Sequence, residues 1–94
     1  MAVARVVTFE DVDPDRMEQM DREMRDGTRP EGVPASEIVV LHDRDARRSL
    51  VIIFFDSDDD YAKGDAALNA MPADDTPGRR ASVSRYDVAA RMTA

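Results

Sequence analysis

Residues 48–55 read Arg48-Ser49-Leu50-Val51-Ile52-Ile53-Phe54-Phe55. In a strand, successive side chains point to opposite faces, so residues two apart share a face. Leu50, Ile52 and Phe54 therefore lie on one face, and Val51, Ile53 and Phe55 on the other. An antiparallel sheet with one wet face alternates apolar with polar residues. This stretch does not alternate, which predicts a strand covered on both sides. Residues 36–42 behave alike, with Ile38 and Val40 opposite Val39 and Leu41. The polar run Asp43-Arg44-Asp45-Ala46-Arg47 between the two stretches makes them a hairpin.

The flanks supply the other elements. Residues 3–9, Val-Ala-Arg-Val-Val-Thr-Phe, are β-branched and aromatic and predict a first strand. Val12-Asp13-Pro14 then signals a helix start. Asp13 caps, Pro14 suits the first helical position, and Val12 and Met17 occupy the two positions of a hydrophobic staple. This helix is expected to run to about Asp26, with Gly27 ending it. Glu18–Arg22 and Asp21–Arg25 form i,i+4 pairs on its wet side. A loop rich in Gly and Pro covers residues 27–36. Ser57 with Asp58, Asp59 and Asp60 opens a second helix, expected to reach about Met71. A second loop follows over residues 72–78, then a fourth strand over residues 80–88.

The order is β-α-β-β-α-β. Short right-handed crossovers turn it into an α+β, ferredoxin-like sandwich with antiparallel sheet order 4-1-3-2 and both helices on one face. The other face then shows about five large apolar side chains. Burying them is worth on the order of 8–15 kcal/mol, comparable to the stability of a whole small domain. A second copy, meeting the first sheet to sheet about a two-fold axis, is the simplest cover. A homodimer is therefore expected.

Composition bounds the rest. Ninety-four residues make one domain, spanning 1–94. The net charge of −7 argues against nucleic acid and anionic membrane surfaces as partners. There is no cysteine, hence no disulfide and no thiolate metal site. No apolar run is long enough to span a membrane, and the N-terminal residues lack the apolar core of a signal peptide. A cytoplasmic location is the expectation.

The element order and the doubly apolar third strand resemble the dimeric α/β-barrel superfamily. The similarity is greatest to its small antibiotic-biosynthesis-monooxygenase-like members. It covers nearly the whole chain and rests on architecture and on segments such as Val51-Ile52-Ile53-Phe54-Phe55 and Ser84-Arg85-Tyr86-Asp87-Val88. The resemblance implies two sheets facing each other as a barrel, with a ligand cleft between sheet and helices in each subunit. It implies chemistry without metal, flavin or haem cofactors. Haem-degrading members use a Trp, an Asn and a His, and this chain has no Trp. Cofactor-free monooxygenases of the superfamily often hold a phenolic or quinol substrate with Trp, Asn and Tyr. Tyr61, Tyr86 and Asn69 are the residues here that match such roles.

Several residues are candidates for chemistry. Met17, Met20 and Met24 fall on one side of the first helix, as ordinary core or as an adaptable cavity wall. Tyr61, Gly64, Leu68 and Met71 fall on the inner side of the second. His42, the only histidine, ends the second strand beside Asp43, as a surface residue or as a general base held by a carboxylate. Glu10, Asp11 and Asp13 lie at the same end of the sheet. Two strand spacings, about 10 Å, separate them from His42, so no metal site is expected. Asp56-Ser57-Asp58-Asp59-Asp60 resembles a calcium loop but has Tyr61 where glycine is needed and Ala67 where Glu is needed. Helix capping explains it better. Tyr86 shares a face with Ser82 and Ser84, turned to a cleft or to the barrel edge. Arg5, on the face of Val3 and Val7, needs a partner, and Asp87 is the candidate.

Two functions follow. One is a cofactor-independent, monooxygenase-like dimer that binds a small, mostly apolar or aromatic molecule against Met17, Met20, Met24 and Leu68. In it His42, Tyr61, Asn69 and Tyr86 act on the substrate. The alternative is a non-catalytic dimer: a ligand binder, stress-associated protein or assembly partner. An open cleft with these polar groups pointing in favours the first, and a cleft filled by the methionines favours the second.

Overall fold

A computed structural model describes residues 2–27, 29–71 and 76–93. The chain forms β1 (Val3–Glu10), α1 (Pro14–Arg25), β2 (Glu37–Asp43), β3 (Arg48–Phe55), α2 (Asp58–Asn69) and β4 (Arg79–Asp87). The four strands are antiparallel in the order β2-β3-β1-β4, which is the expected sheet read from its other edge. Two helices and this sheet make an α+β domain compatible with a ferredoxin-like fold. The loop expected over residues 72–78 is seen only from Thr76 onward, because residues 72–75 lie outside the described residues.

The helix starts follow their caps. Asp13 Oδ1 accepts from the Asp15 N–H at 2.8 Å, and Pro14 stands at the first helical position. Val12 and Met17 are both buried and join Val7 and Phe9 in one core cluster, so the staple holds. Ser57 Oγ accepts from the Asp60 N–H at 3.1 Å, with Asp58, Asp59 and Asp60 in the first turn. The acidic run thus serves the positive end of the helix dipole. α2 stops at Asn69, short of the expected Met71, and Ala70 caps it.

Register assigns the faces. Val3, Arg5 and Val7 of β1 stand opposite Phe55, Ile53 and Val51 of β3. These residues face the helices, and most of them are buried. Met17 brings α1 onto this face through Val7 and Phe9. Gly64 brings α2 onto Phe55, where a β-carbon at position 64 would sit 2.6 Å from Phe55 Cζ. Glycine there is a requirement of close packing rather than of backbone conformation.

Val6, Val39, Leu41, Leu50, Ile52 and Phe54 occupy the other face, which carries no helix among the described residues. Leu41 there is 50 % exposed. Part of this face meets the C-terminal segment. The Val88 N–H donates to Ala2 O, the Arg91 guanidinium lies 4.5 Å from the Phe54 ring centre, and Arg91 pairs with Glu37 at 3.3 Å. No helix among the described residues is long and apolar enough to cross a membrane.

Candidate functional site

A cleft of about 270 Å³ opens between the sheet and the helices. Val40, Val51 and Ile53 form its floor; Met20 and Met24 of α1 and Leu68 of α2 form its walls. The floor is apolar because β2 and β3 are apolar on both faces. The walls are methionine and leucine because α1 and α2 turn those positions inward. Met17 stands apart from the other methionines: it is 1 % exposed, packed in the Val7–Phe9 core, and does not line the cleft.

The polar groups of the cleft are mainly arginines. Arg5, Arg29 and Arg80 line it, together with Glu23. Arg5 has a side chain only 3 % exposed. Its Nε donates to Asp65 Oδ1 at 2.9 Å and its Nη2 to Asn69 Oδ1 at 3.1 Å. The expected Arg5–Asp87 pair does not form. Asp87 stands across from Val3 and pairs with Arg85, while α2 delivers Asp65 and Asn69 directly above Arg5. Arg80 Nη1 donates to the same Asn69 Oδ1 at 3.1 Å, and Asn69 Nδ2 donates to Asp65 Oδ2 at 3.3 Å.

His42 is held elsewhere. Its Nδ1 lies 2.8 Å from Ser49 Oγ and its Nε2 2.8 Å from Asp21 Oδ1. Arg44 Nη2 donates to Asp21 Oδ2 at 3.0 Å. Asp43, the expected partner, instead accepts from the Ala46 N–H inside the hairpin turn. Asp21 therefore faces the hairpin and not Arg25. An Asp–His–Ser chain has the residue types of a nucleophilic triad. Ser49, however, is 1 % exposed and lines no part of the cleft, so a substrate does not reach its hydroxyl. The chain of bonds ties α1 to the β2–β3 hairpin.

The His42 contact, more than Arg44, holds the Asp21 carboxyl below its ordinary pKa, against an opposing effect of burial. A depressed carboxylate contributes stability that is in place above its unfolded pKa, near 3.8, and is lost as pH falls through the folded value. Asp21→Asn is thus expected to lower stability by about 1–2 kcal/mol at neutral pH. Wild type and variant should converge in acid. Urea melts at both pH values measure this, and a gap that persists in strong acid would refute it.

Tyr61 packs edge-on against Phe55, with ring centres 5.6 Å apart and planes at 77°. Burial, then the nearby Asp65, raises its pKa, so its phenol stays protonated. Tyr86 stands opposite Ala4 on the helix-free face and is 58 % exposed. His42, Tyr61, Asn69 and Tyr86 are thus all absent from the cleft lining, although Asn69 bonds two arginines that belong to it. Glu10 and Asp11 pair with Arg79, and Asp13 caps α1. Among the described residues, no group of three or more His, Asp or Glu is placed to hold a metal ion.

Sequence reasoning treated Arg5 as structural and passed over Arg29 and Arg80. The available signal was Arg5 itself, a charge set between Val3 and Val7 on the buried face of β1. No protein-family profile matches the sequence, and no curated protein matches it.

Proposed function

We propose that the chain is a ligand-binding domain built as a dimeric α/β barrel, each subunit holding a small, mostly apolar molecule between its sheet and helices. The observation that carries this is the cleft walled by Met20, Met24 and Leu68. Its volume falls just below the range of about 300–1,000 Å³ usual for drug-sized ligands, so the ligand is small. Unbranched methionines repack around varied shapes. Binding without catalysis is the better reading, because His42 and Tyr61 are engaged away from the cleft and Tyr86 lies exposed on the opposite face of the sheet.

Pairing is supported by the helix-free face. Four strands of about eight residues make a surface of roughly 26 by 19 Å. Its flat area is roughly 500 Å², about three-fifths of the ~800 Å² of accessible area per partner in a standard interface, before the relief of the side chains is added. Val39, Leu41, Leu50 and Ile52 make the β2–β3 half of it apolar. Native mass spectrometry of protein purified from its own cells is expected to show a dimer carrying a small organic molecule. Met20→Trp should abolish that adduct by filling the cleft, and Ile52→Asp should yield monomers in analytical ultracentrifugation. A wild-type monomer at micromolar concentration would refute the pairing. An adduct retained in Met20→Trp would refute the cleft assignment.

A further inference from the structure

We propose that the cleft selects small monoanions: molecules with an apolar body and one carboxylate-like head set against the guanidiniums of Arg5 and Arg80. This rests on the reading of the cleft as a ligand site and names the class of ligand it takes.

Arg5 is the first reason. A cation 3 % exposed on the floor of an apolar cleft is costly, and an apolar residue would pack the same strand face without that cost. Asp65 neutralises it. Arg80 is the second. It converges on the same amide oxygen as Arg5, each guanidinium 3.1 Å from Asn69 Oδ1. Two like charges are thus gathered around one neutral acceptor. Among the described residues, Arg80 has no carboxylate within ion-pair distance.

A guanidinium has five N–H donors in a planar fork that suits a carboxylate. Arg5 uses two of its nitrogens here and Arg80 one, so donors remain on two guanidiniums that line the cleft. Among the described residues, the charges that line or flank the cleft are Arg5, Arg29 and Arg80 against Glu23 and Asp65. They sum to one positive charge, which one anion balances. This occurs in a chain of net charge −7, so the cationic spot is local to the cleft and not part of a basic surface. Met20, Met24 and Leu68 then receive the apolar body.

The test uses the full chain with methyl-labelled methionine, titrated at neutral pH and followed by NMR. The probes are hexanoate, hexan-1-ol and hexylamine, with phenylacetate and 2-phenylethanol as an aromatic pair. The Met20 and Met24 methyls are expected to shift with each acid at roughly tenfold lower concentration than with its alcohol. Hexylamine should leave them unmoved. Arg80 is exposed, so Arg80→Gln should fold, bring the acids to the level of the alcohols and leave the alcohols unchanged. Asn69→Asp, which supplies a carboxylate internally, should also remove the preference for acids. Equal affinity for acid and alcohol would overturn the anion proposal and leave the cleft reading standing. So would an acid preference that survives in Arg80→Gln. No shift of Met20 or Met24 with any probe would overturn both.

Discussion

Asp65→Ala is expected to destabilise the domain by about 3 kcal/mol or more, measured by chemical denaturation at neutral pH. The loss comes from what the substitution leaves behind. Arg5 keeps a guanidinium 3 % exposed between Val3 and Val7, and its remaining acceptor is the neutral oxygen of Asn69. Asp65 is itself about one-third exposed, which keeps the effect toward the lower end for a broken buried pair. The double variant Arg5→Met, Asp65→Ala should recover most of the loss, because removing both charges leaves no orphan. A single Asp65→Ala variant within 0.5 kcal/mol of wild type would show that the pair is solvated in solution.

Gly64→Ala should also destabilise, by about 1–3 kcal/mol, although alanine is the better helix former by about 1 kcal/mol. Helix propensity and packing point in opposite directions at this position, and the distances decide. A β-carbon would meet Phe55 Cζ at 2.6 Å and Val33 Cγ1 at 3.4 Å. Phe55 is fully buried and braced edge-on by Tyr61, so its ring has nowhere to go unless α2 lifts. Phe55→Leu alone should cost stability through lost volume. Combined with Gly64→Ala, it should cost less than the sum of the two, since the smaller side chain makes room for the new methyl. Strict additivity in urea melts would mean that α2 shifts freely over the sheet.

Elements that depend on neighbours in sequence were legible without coordinates. Asp13-Pro14 and Ser57 with its three aspartates cap as read, and the two-faced pattern of residues 48–55 marks the strand that sits inside the sheet. Side-chain partners were less legible, because they depend on how each helix is rotated above the sheet. His42 was read against its sequence neighbour Asp43, whereas α1 supplies Asp21 from 21 residues earlier in the sequence. Arg5 was read against the adjacent strand, whereas α2 supplies its acceptors. Parity alone carried one answer that went unread. The alternation that puts Asp87 on the face of Arg5 puts Tyr86 on the opposite face, away from the helices.

The Phe54 ring on the helix-free face already has an occupant. Arg91 lies across it and is moored to Glu37 at the edge of the sheet. On the pairing proposed above, a second sheet arriving there would displace this segment instead of landing on bare surface, so association would be an exchange reaction. Its equilibrium reflects the difference between two occupants of one ring, which makes the union weaker than the apolar area alone suggests. Its rate is capped by how often the segment lets go. Chemical changes to residues 88–93, beyond the last strand, would then adjust how tightly two copies hold each other.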